Sequence, residues 1–553
     1  MKKYYIFYVI LFMVFMHTST IFALDQRDYE HIIIKGDTLD SFSMDKLSHL
    51  YLYRYDDGLK SWDMVPFQFD EVNSDAKIEM IYFEPEPDST RGKLDEDDEL
   101  VFMLKDLGDK ADSSMWVEGM DSTRYELELL DPLSGETGYM YLYYSEDTTL
   151  TVPDNYEMSY DAASDRIETM NYAIEFGRSE EDNTGQMNNV FIKSGTGEDI
   201  FDRIKIRAIG FFILWRVYIN ENTIQSGDAY AKVGPVRIIR NMEGQFKLDL
   251  LDLKEPFIQT LLFYPYNGAF KIADIPIGEA KKVGADVYTI RISWDMNENA
   301  EGMTFYSEYN PEGIFIDAQI DEFNDSVNPG ELNWTMATGD QGSLVNVFNV
   351  PDLGDVKKLY YFDYPEGDTS GHREQDFDVD TGDLMSYGDN GFILEDDLVD
   401  DIADDSILDV LYYNYFLDPN LSYDKAAQLA DNLKNPVVVY TRTQEYVEPV
   451  TRIASLEERV PDDFQLFQNY PNPFNPTTTI SFNISNDSPV SLGIYSTTGS
   501  LVVELEDGYL SNGYHSYMWD GKDMYGNNVP SGVYFCKLLA GSYRSTIKIT
   551  LLK

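Results

Sequence analysis

Residues 470–484 read YPNPFNPTTTISFNI. Pro471, Pro473 and Pro476 fix φ and remove backbone donors, so this stretch cannot pair as a central strand. A β-suited run follows at once. Ile480, Phe482 and Ile484 alternate with polar residues and share one face. The prolines therefore predict a stiff lead in front of a separate β-module, which it holds off the body.

The pattern continues to the end of the chain. Val490, Leu492 and Ile494 share a face, and the runs 502–505, 515–519, 532–538 and 545–552 follow. Thr498-Gly499, Asn512-Gly513, Asp520-Gly521, Gly526-Asn527 and Ser531-Gly532 punctuate them as turns. About six short strands at roughly ten-residue spacing predict a small antiparallel, Ig-like sandwich over 464–553. From Asp462 to Lys553 there are eight acidic and five basic residues, so the module is nearly neutral.

Upstream the signal is also β. Residues 24–150 hold strand-like runs at His31–Lys35, Leu50–Tyr55, Val65–Phe69, Glu99–Leu104, Tyr125–Leu130 and Gly138–Tyr144. Residues 151–446 add Arg203–Ile219, Pro235–Arg240, Gln259–Tyr264, Asp286–Trp294 and Val437–Arg442. Two helices are expected. Ser422–Pro436 has an N-cap serine, an apolar face of Ala426, Leu429, Ala430 and Leu433, and a proline stop. Leu394–Leu411 carries apolar residues four apart. Residues 447–463 lack periodicity and read as a linker. The fold class is thus mainly β and multidomain: two β-rich domains over 24–150 and 151–446, then the terminal sandwich.

Bulk composition narrows the function. With 553 residues, 43% hydrophobic, the chain is long enough for several packed cores. Acidic residues outnumber basic ones 98 to 42, a net charge of −56 that repels nucleic acid and attracts hard cations such as Ca2+. The same charge also serves as a solvated surface. Cys536 is the single cysteine, so no intrachain disulfide can form. Residues 1–23 have a lysine pair, an apolar stretch and a terminal Ala23, the pattern of a cleaved secretory signal peptide. No later window is long and apolar enough to span a membrane.

One resemblance is specific. FQLFQNYPNPFNPTTTISFNI, VSLGIYSTTGSLV, WDGKDMYGNNVPSGVYFCKL and the terminal STIKITLLK together closely resemble the type A C-terminal sorting domain of type IX secretion cargo. WDGKDMYGNNVPSGVYF also resembles the Ig-like domain of the flagellar hook-capping family. The resemblance covers about ninety residues and implies export to the cell surface or medium. It implies outer-membrane secretion machinery as partner and, in many members, removal of the module by a sortase-type peptidase. The positions it carries over are Asn475, Gly499, Gly521, Gly532, Lys548 and Lys553. Fold and motif alone leave a plain structural Ig-like domain open as the alternative.

The body shows no catalytic signature. There is no HExxH, no GxSxG elbow, no Walker A loop and no Rossmann fingerprint. DFDVDTGD places Asp376, Asp378, Asp380 and Asp383 around Gly382, a loop that would aim several oxygens at one Ca2+ or stand as a solvated loop. Residues 88–102 form a second acidic loop, with Asp88, Asp95, Asp97, Asp98 and Glu99. AKVGPVRIIR, Ala231–Arg240, resembles a strand of the galactose-mutarotase-like super-sandwich of some polysaccharide lyases. That resemblance implies Arg237 or Arg240 facing an acidic sugar; the plain alternative is an edge strand with solvated arginines. The expected function is a secreted surface protein with a binding or structural body, calcium-supported. The alternative is a glycan-active enzyme, a lyase or glycosidase, binding extracellular glycan through exposed tyrosine and tryptophan.

Overall fold

A computed structural model describes residues 24–446 and 464–551. Within them, residues 25, 74–81, 83–90, 148, 178–184, 213–214, 220–223, 247–255, 276–284, 365–385, 396–407, 475, 498 and 542 are not described. The expected signal peptide, the linker 447–463, Asn475, Lys553 and the loop Asp376–Asp383 all lie outside the described residues. The chain divides into two compact units, Met1–Pro449 and Val450–Lys553.

The upstream unit is built on antiparallel sheets. The largest has nine strands. Its middle is the pair Gly342–Asn349 and Leu408–Leu417, with Leu344 opposite Phe416 and Phe348 opposite Tyr412. A five-stranded sheet, centred on Phe201–Phe212, Ala285–Met296 and Asp389–Glu395, faces it. Alternation explains the packing: Ile290, Ile292, Trp294 and Met296 point one way and are buried. Trp294 lies 3.8 Å from Tyr412, and Phe348 lies 5.8 Å from Phe392. These rings belong to the largest buried apolar cluster.

The expected helix forms at Tyr423–Lys434, with the Ser422 side chain accepting from the Lys425 N–H. Its buried Ala426, Leu429 and Ala430 cover the outer face of the nine-stranded sheet, against Trp334, Met336, Val345 and Val347. The second expected helix is not what the described residues show. Leu394 sits in strand Asp389–Glu395, between Ile290 and Lys357, and Leu408–Leu417 is again strand. The stretch between them, residues 396–407, with Leu398 and Ile402 of the expected apolar face, lies outside the described residues.

Residues 24–150 contribute a second cluster, around Leu52, Phe102, Leu127 and Tyr141. Its five-stranded sheet is completed from far away: Val438–Glu445 pairs with Thr123–Leu130 along its whole length. Arg27, fully buried, ties the start of the chain to this frame. It reaches Asp131 at 2.6 Å, Glu30 at 3.0 Å and the carbonyls of Asn432 and Asn435 at the end of the helix.

The terminal unit is a two-sheet sandwich. Gln465–Leu466, Thr478–Ile484 and Gly513–Trp519 form one sheet. Leu501–Leu510, Ser488–Ser496, Gly532–Ala540 and Tyr543–Leu551 form the other. Ile480, Phe482, Leu492, Ile494, Trp519, Cys536, Leu538 and Ile549 fill the space between. Cys536 is buried, and burial pushes its thiol up to about 12, so it behaves as a small hydrophobe.

Candidate functional site

The proline stretch packs into the module that it precedes. Phe474 is only 2% exposed, packed 5.3 Å from Trp519 inside the sandwich. Around it, short polar contacts seal the last strand. The Lys548 carbonyl accepts from Gln468 Nε2 at 2.8 Å and Asn472 Nδ2 at 3.3 Å. The Thr550 N–H donates to Asn472 Oδ1 at 2.8 Å, and the Phe474 N–H donates to the Thr550 carbonyl at 2.9 Å. Tyr543–Leu551 is an edge strand, and unpaired edge groups invite pairing with other chains. The lead, unable to form a regular ladder itself, covers that edge. Asn469, also buried, fixes the turn by donating to the Thr478 hydroxyl at 2.9 Å.

The glycines named from the sequence all lie in or beside turns. Gly521 is buried at φ +67°, and a Cβ there would lie 3.2 Å from the Pro476 carbonyl oxygen. Gly499 turns at φ +82°, its N–H on the Ser496 carbonyl. Gly532 opens the strand Gly532–Ala540.

Lys548 belongs to a larger surface than the sequence nominated. On the outer face of the four-stranded sheet, Tyr495, Phe535 and Lys548 stand side by side across three strands. Lys537 opposes Thr546, and Leu539 opposes Arg544. Lys537, Arg544 and Lys548 are all exposed, and Lys537 Nζ lies 5.2 Å from the Tyr495 ring centroid. Val533 and Phe535 are more than one third exposed beside them. Glu504 and Asp507, on the opposite edge strand, give the face an acidic border. The remaining described base of the module, Lys522, is paired with Asp520 at 2.5 Å. Lys537 and Arg544 were legible in principle: each falls on the outward phase of an alternating strand.

In the upstream unit, neither alternative for Arg237 and Arg240 holds. Both are fully buried in Ile238–Phe246 or just before it, next to an inner strand of the nine-stranded sheet. Arg237 bonds Asp70 and Glu99, each at 2.6 Å, and Arg240 forks onto Asp165 at 2.8 and 2.6 Å with Phe176 against its guanidinium. These are internal ion pairs, and neither arginine faces solvent. Of the second acidic loop, Glu99 is thereby consumed. Asp98 accepts from the N–H groups of Val72 and Asp95, and burial pushes its carboxyl up to about 7. Asp88 lies outside the described residues.

The tryptophans whose side chains are described are buried or part-buried. Trp294, Trp334 and Trp519 are buried. Trp62 and Trp116 close around the guanidinium of Arg124, with Tyr141 and Tyr143 completing the box. A second polar arrangement lies on the sheet face opposite the main core. Lys205, 2% exposed, meets Asp295 at 2.6 Å and Asp389 at 3.8 Å, with the Ser386 hydroxyl at 3.4 Å. Arg207, Arg291 and Ser293 share that buried face. Lysine and carboxylate are residue types that acid–base chemistry uses, and here one lysine stands between two carboxylates.

Fold and module define a mainly β chain with a distinct Ig-like terminal unit. A family model described as the FlgD Ig-like domain matches residues 471–542. No curated protein matches the chain. Among solved structures, a glycosyl hydrolase family 38 protein from Enterococcus faecalis is similar at 8% identity and TM-score 0.36, over 89% of this chain and 56% of that one. An alpha-mannosidase from Enterococcus faecalis V583 gives 10% identity and TM-score 0.30, over 72% of this chain and 49% of that one. Dimeric latent PorU from Porphyromonas gingivalis gives 11% and 0.14, over 82% and 42%. The chain thus spans about half the length of these structures, and scores this low support neither a shared fold nor a shared activity.

Proposed function

We propose that the chain is a secreted bacterial surface protein whose C-terminal Ig-like module is an export signal read by outer-membrane secretion machinery. The observation that carries this reading is the module's outer face. Three exposed bases and two exposed apolar side chains gather on a small sandwich, in a chain of net charge −56. A receptor of opposite charge would find one basic patch to dock on. The upstream unit then acts as a binding or structural body, supported by Ca2+, with the loop Asp376–Asp383 as one candidate ligand set.

The test is export itself. Deleting 464–553 traps the protein in the periplasm, and Lys537→Glu with Arg544→Glu and Lys548→Glu does the same while the module stays folded. Whole-cell protease accessibility reads the outcome. Unchanged surface display of both variants ends the sorting role and leaves a plain structural Ig-like domain.

A second reading, a glycan-active enzyme, rests on the Lys205–Asp295–Asp389 arrangement alone. A degradation screen against acidic and neutral polysaccharides tests it. Any activity found must fall by at least about 100-fold in Asp389→Asn, the usual size of a lost acid–base group.

A further inference from the structure

A turn in the upstream unit gathers three carboxyl groups that neutralise nothing. Strand Val356–Phe362 ends at Asp363, which is 1% exposed. Ile316, fully buried, anchors the approaching segment through main-chain bonds with Met303 and Gly302. The chain then turns at Ala318, and the N–H groups of Asp317 and Ala318 donate to Asp363 Oδ2 at 2.8 and 2.9 Å. Asp321 completes the group from the solvent side. One oxygen from each of Asp317, Asp321 and Asp363 lies within 4.8 Å of the others. Among the described residues, no lysine, arginine or histidine forms an ion pair with any of them. Like charges this close repel unless protons or a cation intervene.

A fourth group points to which of these it is. Tyr361 precedes Asp363 on the same side of the strand, its ring held by Phe305 at 4.3 Å and Phe323 at 5.7 Å. It is 5% exposed, and its hydroxyl has no hydrogen-bond partner among the described residues. The charges that act on that phenol are those of Asp363, Asp321 and Asp317. Asp317 Oδ1 and Asp363 Oδ1 are likewise buried without partners. Unsatisfied buried oxygens of this kind are uncommon and call for an explanation.

We propose that Asp317, Asp321 and Asp363, backed by the Tyr361 hydroxyl, bind a divalent cation of the calcium class. The donors are all oxygen, with no histidine or cysteine, which selects hard cations over zinc. Three carboxylates on a strand end and a turn, open to water at Asp321, suit the loose six-to-eight-oxygen shell of Ca2+ better than the strict octahedron of Mg2+. The ion would pin the 316–321 turn to the end of the strand. This inference rests on the reading of the body as calcium-supported, but not on export.

The test uses the mature chain from residue 24 onward, with Ca2+ as ligand and Tb3+ as a luminescent stand-in excited through tyrosine. Ca2+ is expected to raise the melting temperature and to displace Tb3+. Asp321→Asn, an exposed change that spares folding, weakens Ca2+ binding by roughly tenfold through the lost ligand charge. Asp363→Asn retains an acceptor for the two N–H groups, melts no lower than wild type in EDTA, and loses the calcium gain. Tyr361→Phe cuts the Tb3+ signal. Wild-type calcium affinity in Asp321→Asn overturns the site. If Asp378→Ala with Asp380→Ala then removes the gain instead, calcium support survives and only this placement fails. No calcium effect on the wild type ends both.

Discussion

Replacing Phe474 by alanine in the isolated module, residues 464–553, separates a packed lead from a loose spacer. The ring is 2% exposed. A buried phenylalanine removes about 150–250 Å² from water, and Phe→Ala in a core costs about 3–5 kcal/mol once the cavity is included. A domain of this size holds only about 5–10 kcal/mol, so the variant loses roughly a third of its stability or more. Urea unfolding followed by fluorescence is the natural assay, because Trp519 is the module's single tryptophan, buried beside Phe474. With a urea slope of about 1.5 kcal/mol/M, the midpoint falls by roughly 2 M or more. Tyr470→Ala, in the same lead but 63% exposed, should stay within about 0.5 kcal/mol. If the two variants shift alike, by less than about 1 kcal/mol, the packed-lead reasoning is wrong.

Further outcomes follow from the upstream unit. His31 is stacked on Tyr264 at 3.4 Å, and burial, then the Arg237 charge, lowers its imidazole to about 3. The unfolded chain therefore binds a proton between about pH 6.5 and 3 that the native state refuses. This residue alone removes about 1.4 kcal/mol of stability per pH unit as pH falls through that window. His31→Phe keeps the stack and should flatten the decline in melting temperature between pH 7 and 4; parallel curves would refute the assignment. Arg27→Ala strands Asp131 and Glu30 in the interior and should cost about 3–5 kcal/mol by thermal or urea unfolding. Asn472→Ala leaves the Thr550 N–H and part of the Lys548 carbonyl unsealed, worth about 1–3 kcal/mol in the same module assay. A loss below 0.5 kcal/mol, the scatter of surface changes, would mean water replaces the amide fully.

Period-two alternation carried most of what the sequence could say about the fold. It marked Ile480, Phe482 and Ile484 as one buried face, and the structure buries all three. The helix at Tyr423–Lys434 was equally plain, because cap, apolar face and stop agreed. What stayed hidden was non-local. Nothing in Val438–Glu445 announces that its partner is Thr123–Leu130, more than three hundred residues earlier. Arg237 and Arg240 looked like surface arginines because their carboxylate partners, Asp70, Glu99 and Asp165, are remote in sequence. Asp317 and Asp363 were invisible for the same reason: a cluster made by two distant turns leaves no spacing to read. The burial of Phe474 was not legible because prolines flanking a hydrophobic residue say how the backbone is fixed, and nothing about where the ring goes.

The seal between Asn472 and the strand Tyr543–Leu551 bears on timing. Asn472 and Phe474, early in the module, bond to Lys548 and Thr550, far along the chain, so this seam cannot close until the strand Tyr543–Leu551 has been made. A product terminated early therefore carries the proline stretch without the strand that finishes it. Any receptor that recognises the completed module inspects, in the same act, whether that strand has been made and seated.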